Sequence, residues 1–161
     1  MRLLASTDIA LRALMLLGQQ QAMRPVSVET LARTLGGLSR NHLHKIVQDL
    51  TALGLTCTVR GINGGVLLAL SPDQIRLGSI IRHLEQEQPV AECFRANGCA
   101  CTLVPGCRLR GMLAMASDRF YESLNEYTLA DCLPLDGFAA VATPALRLPP
   151  WANLLPNDPT D

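Results

Sequence analysis

The sequence contains no apolar run near the roughly 18 uncharged residues of a membrane-spanning helix; its best stretch, Ile9 to Gly18, is broken by Arg12. Its first residues do not show the pattern of a cleavable leader, because Asp8 and Arg12 interrupt the apolar region one would need. The expectation is a cytoplasmic protein with no membrane partner. Aromatic residues make up only 4% of the chain, whereas hydrophobic residues reach 48% and are mostly leucine and alanine. That composition points to a mainly helical fold. Lysine is nearly missing, since Lys45 is the only one among 14 basic residues. The formal net charge is zero, so the chain as a whole has no basic excess for nucleic acid. There is no internal repeat and no Cys-x-x-Cys pair.

The charge that is present is unevenly placed. Residues 1–82 hold nine basic and four acidic side chains, and residues 83–161 hold five and ten. The first half is suited to a phosphate backbone and the second is not. Cysteine is equally uneven. Cys57 and Cys132 stand alone and are expected to be buried or inert, while Cys93, Cys99, Cys101 and Cys107 fall within fifteen residues. In a cytoplasmic chain such a cluster favours metal binding over disulfides.

Hydrophobic spacing predicts a helix over 7–20, with Thr7 as its cap and Asp8 in its first turn. A short helix follows Ser27, with Val28, Leu31, Ala32 and Leu35 on one face, and ends at Gly36-Gly37. Ser39 caps a third helix carrying Leu43, Ile46, Val47, Leu50 and Leu53, which ends at Gly54. Two extended runs, Leu55 to Arg60 and Val66 to Leu70, flank Gly61-Ile62-Asn63-Gly64-Gly65, a hairpin signal. A helix is expected from Ser71-Pro72-Asp73 through Glu87. A long helix is expected at about 108–127, with Leu109, Met112, Leu113, Ala116, Phe120, Leu124 and Tyr127 in a near-heptad stripe. One long helix with such a stripe needs a partner, and a second copy is the simplest.

The predicted fold is mainly α with a small β wing: a winged helix-turn-helix over 1–88, a cysteine loop and long dimerisation helix over 89–132, and a proline-rich, loose tail over 133–161. The third helix is the candidate reading element. Its outward positions are Arg40, Asn41, His44, Lys45 and Gln48, side chains that pair with base edges and phosphates of double-stranded DNA. Ser39 and the first exposed amides can hold a phosphate. Arg60 and the Gly64-Gly65 tip form the wing's candidate contacts.

Thiolates in the cysteine loop suit zinc or an iron–sulfur cluster. The wide intervals Cys93-x5-Cys99 and Cys101-x5-Cys107 fit a bulky inorganic core better than one zinc ion. Gly98, Pro105 and Gly106 let the backbone curl, and Arg95, Arg108 and Arg110 can offset the charge of a thiolate-bound cluster.

Several separated motifs, Ser6-Thr7-Asp8-Ile9-Ala10-Leu11-Arg12, Ser39-Arg40-Asn41-His42-Leu43, Leu53-Gly54-Leu55, Arg60-Gly61 with Gly64-Gly65, Cys93, and Cys101-x3-Pro105-x-Cys107-Arg108-Leu109, resemble the NsrR repressors. These belong to the iron–sulfur winged-helix regulators that include IscR. The resemblance covers about residues 1–132. It implies a homodimer, joined through the long helix after Cys107, that represses genes from a palindromic operator and takes nitric oxide as its signal. It implies a 4Fe–4S cluster, with 2Fe–2S the alternative, held by three cysteines and by an aspartate of the other subunit that matches Asp8. The position three after Cys107, a histidine ligand in the IscR branch, is Arg110 here. The family has three loop cysteines and this chain has four. The Cys-x3-Pro-x-Cys register selects Cys93, Cys101 and Cys107, with Cys99 as the alternative middle ligand.

Two competing regulators remain: a redox or cluster-supply sensor of the same family, and a zinc-stabilised DNA-binding protein using all four cysteines. An enzyme is disfavoured, because His42, His44 and His83 lie on helices and none is near the cysteine loop in sequence.

Overall fold

Helix α1 (Ala5–Gly18) buries Ala10, Ala13, Leu14 and Leu17, spaced so that they share one face. The computed structural model describes residues 3–19, 24–86, 88–95, 100–103 and 106–134. The helix starts earlier than its sequence suggests. Thr7 is buried inside its first turn, and its hydroxyl has no hydrogen-bond partner among the described residues. The N-cap residue is Leu4, whose backbone N–H donates to Oε1 of Glu85 at 2.9 Å. A carboxylate 81 residues away therefore takes the N-cap N–H, the donor that the acidic partner of a local capping box would take.

Helix α2 (Val28–Thr34) begins where expected, with the Ser27 hydroxyl accepting the Thr30 N–H at 3.1 Å. Gly36 and Gly37 take positive φ, which ends it and turns the chain. Helix α3 (Arg40–Ala52) buries Leu43, Ile46, Val47 and Leu50 against α1 and α2. Gly54, at φ 70°, stops it. Strands β1 (Thr56–Val59) and β2 (Gly65–Leu68) then pair antiparallel, with Thr56 opposite Leu68 and Val59 opposite Gly65. The hairpin is fastened to the chain before α2 by reciprocal backbone bonds between Val26 and Val66 at 3.0 and 2.9 Å.

The helix expected from 71 onward is divided. Pro72–Gln74 forms a 3-10 turn, Ile75 is extended, and helix α4 runs Leu77–Leu84. Long-range pairing overrides the local signal here. Ile75 is buried and its carbonyl accepts from Leu129 N at 2.8 Å, while Leu77 N donates to Tyr127 O at 3.1 Å. Helix α5 (Arg108–Leu124) is shorter than predicted, so Tyr127 lies in the turn that makes this return contact. Gly78 lets α4 approach α5, since a Cβ there would collide with the Tyr121 carbonyl.

Two apolar clusters carry the fold. One gathers Ala10, Leu14, Ile46, Leu50, Leu55, Ile75, Ile80 and Leu129. The other gathers Leu17, Leu31, Ala32, Leu43, Val47 and Val66. Helix α3 contributes to both, so its position relative to α1, α2 and the hairpin is fixed from two sides. The mainly helical fold with a two-stranded wing is thus the one expected. Among the described residues, no helix is long and apolar enough to cross a membrane. The tail beyond 134 lies outside the described residues.

Candidate nucleic-acid interface and cysteine loop

The buried face of α3 decides where its other face points. Because Leu43, Ile46, Val47 and Leu50 are turned inward, Arg40, Asn41, His44, Lys45 and Gln48 all project into solvent. Two of these are cationic and two carry amides, the set that can reach phosphates and base edges together. Ser39 occupies the N-cap position, yet its side chain makes no cap bond, contrary to the sequence expectation. The exposed hydroxyl therefore stands beside the uncapped amides of the helix start. His42, also exposed, belongs to this surface.

The wing adds Arg60, exposed at the end of β1. Gly61 has φ 119° and its carbonyl accepts from Gly64 N at 2.9 Å, closing a tight turn over Ile62 and Asn63. The two glycines proposed as contacts have packing reasons of their own. A Cβ on Gly64 would meet the Val59 carbonyl, and one on Gly65 would meet the Val26 carbonyl oxygen at 2.5 Å. Sequence reasoning passed over Ile62, which the turn leaves fully exposed. An isoleucine flanked by glycine and asparagine at a hairpin tip was the available signal.

The cysteine loop is built differently. Cys93 lies half-buried in a short 3-10 turn, Glu92–Phe94. Cys101 is exposed, and Cys107 is the half-buried N-cap residue of α5, with no side-chain cap bond. Arg110 stacks on the Phe94 ring at 5.4 Å, linking the two ends of the loop. Cys99 and Pro105 lie outside the described residues. Among the described residues no three His, Cys, Asp or Glu side chains are close enough to share a metal, so Cys93, Cys101, Cys107 and Asp8 are not gathered within this chain. Their chemistry nevertheless suits a cluster: all three thiols are free of disulfides, and the loop is anchored at both ends.

Asp8 points outward from α1 and is held by Arg12, with a 2.8 Å ion pair and a 3.1 Å bond from Nε. Both side chains are at least half exposed, so this pairing is worth no more than about 0.5 kcal/mol. The carboxylate is therefore easily redirected.

The two solitary cysteines differ. Cys57 is exposed on β1, so of the two expectations for it, buried or inert, burial does not hold. Cys132 is partly buried, and burial followed by the charge of Asp131 pushes its thiol above the ordinary range. It stays protonated and is a poor metal ligand. Asp131 itself is held below the usual carboxylate range by hydrogen bonds from Thr128 N and Oγ1 at 2.7 and 2.8 Å.

This architecture has close parallels. The Rrf2 family model, described as an iron-dependent transcriptional regulator, matches residues 3–134. The HTH-type transcriptional regulator NsrR of Geobacillus kaustophilus is 41% identical over 133 residues, covering 83% of this chain and 90% of that protein. NsrR of Bacillus subtilis is 34% identical over 131 residues, covering 81% and 89%. Among solved structures, CymR, the global cysteine regulator of B. subtilis, superposes with a TM-score of 0.63 at 28% identity, covering 82% of this chain and 95% of that one. IscR of T. potens gives a TM-score of 0.63 at 26% identity, covering 82% and 85%.

Proposed function

The chain belongs to the Rrf2 family of transcriptional regulators, and we propose that it is an iron–sulfur-dependent repressor that binds palindromic operator DNA as a homodimer and releases it in response to nitric oxide in the cytoplasm. The family comprises regulators rather than enzymes. The observation that carries the DNA-reading part is α3: four buried residues turn Arg40, Asn41, His44, Lys45 and Gln48 toward solvent beside the Arg60 wing. The dimer is supported by α5, on which Leu109, Met112 and Met115 are 60%, 52% and 65% exposed. Such a row on one helix is an interface without its partner.

Cys93, Cys101 and Cys107 of one subunit and the partner subunit's Asp8 would hold a 4Fe–4S or 2Fe–2S cluster. When bound, that group supplies iron sites with strong affinity for nitric oxide. The rest falls to the chain. Asp8 pairs with Arg12 in this chain and would have to leave it to hold a cluster, where a hard carboxylate among soft thiolates would be the weakest of the four holds. Once Asp8 returns to Arg12, α1 of one subunit is no longer tied to the cysteine loop of the other. Helix α1 packs directly on α3, so the two reading helices then lose the fixed separation that a palindrome demands.

Protein purified without oxygen is expected to be brown, with iron and sulfide near the ratio of the bound cluster, and to lose operator affinity during nitric-oxide titration. A colourless protein with one zinc per subunit selects the zinc-stabilised alternative. A brown protein indifferent to nitric oxide selects a redox or cluster-supply sensor. Arg40→Ala combined with Arg60→Ala abolishes operator binding in an anisotropy assay; unchanged binding removes this head as the DNA contact.

A further inference from the structure

The wing tip presents an apolar side chain where a nucleic-acid reader is expected to be polar. Ile62 is fully exposed, with no side chain shielding it. It is held there by a rigid device. Gly61 at φ 119° starts the turn, the Gly64 N–H to Gly61 carbonyl bond closes it, and the Val59 carbonyl leaves no room for a side chain at Gly64. The hairpin behind it is pinned twice, by β1–β2 pairing and by the Val26–Val66 bridge. A single exposed isoleucine on a floppy loop would mean little. One held at the apex of a braced hairpin, two residues from Arg60, continues the DNA-reading surface.

We propose that Ile62 is a specificity-determining residue that contacts the floor of the minor groove and selects A·T over G·C pairs there. This rests on the DNA-reading function given above. In the minor groove A·T and T·A pairs present only acceptors, adenine N3 and thymine O2, whereas G·C adds the guanine N2 amino donor. An aliphatic side chain pressed to that floor offers the amino group no acceptor, displaces its water and meets it sterically. Against A·T it finds a narrower groove with nothing protruding. Apolar side chains do enter minor grooves, most often as wedges between base steps, where they act by shape rather than by hydrogen bonds. Arg60 supplies the cationic part of the same contact. The division of labour is then clear: α3 reads the major groove, Arg60 holds the backbone or groove wall, and Ile62 rejects guanine.

The test uses the full-length protein, purified without oxygen, and a pool of random-sequence duplexes from which bound sequences are recovered. The wild-type pool is expected to show A·T enrichment at symmetric positions flanking the two half-sites. Ile62→Ala loses that enrichment and binds the best wild-type duplex about tenfold more weakly, with an unchanged salt slope. Arg60→Ala reduces the slope by about one. At the flanking positions, replacing A·T by G·C weakens wild-type binding, and replacing G·C by inosine·C, which lacks the N2 amino group, restores it. Ile62→Asn, whose side chain can accept from that amino group, tolerates G·C. The proposal is overturned if Ile62→Ala keeps both affinity and flanking preference, or if wild type binds G·C and inosine·C duplexes alike. Recovery of no specific sequence by wild type overturns the DNA-reading function itself, and this role with it. Because Ile62 touches no core residue, its variants keep the wild-type Tm, which separates lost contact from lost fold.

Discussion

In the reading head, each outward residue of α3 is aimed by an inward one: Lys45 and Gln48 project because Ile46 and Val47 between them are buried. Among the described residues of the cysteine loop no such relation exists. Cys93 sits in a three-residue turn, Cys101 is exposed, and Cys107 is aimed only by the start of α5. One region carries its geometry in its own packing. The other supplies donor chemistry, and on the function proposed above it would take its final shape from a bound group and a second subunit. On that proposal a regulator would benefit from the contrast, because its signal would act on the part held least firmly while the DNA-reading surface stays intact.

The largest expected effect sharpens that contrast directly. Cys93→Ala, Cys101→Ala and Cys107→Ala each lose the cluster completely, and Cys99→Ala retains it, as visible absorption of anaerobic protein reports. In cluster-free protein the unfolding free energy of Cys101→Ala stays within about 0.5 kcal/mol of wild type, because the side chain is exposed. A bleached Cys99→Ala with an intact Cys101→Ala reverses the ligand register.

Leu43→Ala attacks the other side. Leu43 is buried in the first turn of α3 and belongs to the cluster that joins α2, α3 and β2. Removing it should lower stability by about 2–5 kcal/mol in urea unfolding and weaken DNA binding through loss of helix position. A change under about 1 kcal/mol would mean that the head is not fixed by this core.

Glu85→Ala probes the connection between the regions, since Glu85 ends α4 just before the loop and caps the start of α1, which carries Asp8. Leaving Leu4 N without its acceptor costs about 1–3 kcal/mol. Hydrogen exchange should rise in the first turn of α1 and not in α3; uniform exchange would dissolve the idea of a local tether.

The smallest effect is pH-dependent. Hydrogen bonds from Thr128 hold Asp131 below its ordinary value of 3.8. A depressed carboxylate contributes stability that is present above the unfolded value and is lost as pH falls through the folded one. Asp131→Asn should therefore narrow the stability difference between neutral and acidic solution, read from Tm at several pH values; an unchanged profile would show that this turn does not anchor the C-terminal segment to Ile75.

Helices α2 and α3, the hairpin and the outward set on α3 were legible because their signals are local. Apolar period, Ser27 and the glycines at 36, 37 and 54 each act within a few residues. Legibility failed where partners are distant. Thr7 looked like a cap because nothing near it reveals Glu85. The helix from residue 71 looked continuous because nothing near Ile75 reveals Leu129. Ile62 was overlooked because its exposure depends on how the turn closes.

By itself the sequence determined the winged-helix order, the cationic and amide face of α3, and the donor chemistry of the cysteine loop, since residue type and short-range spacing suffice for these. The tertiary structure alone decided that Glu85 closes the start of α1, that Ile75 breaks a helix to pair with Leu129, and that Ile62 stands clear at the wing tip. Each of these depends on which surfaces remain after the core has formed, and that is a property of the packed chain rather than of any segment in it.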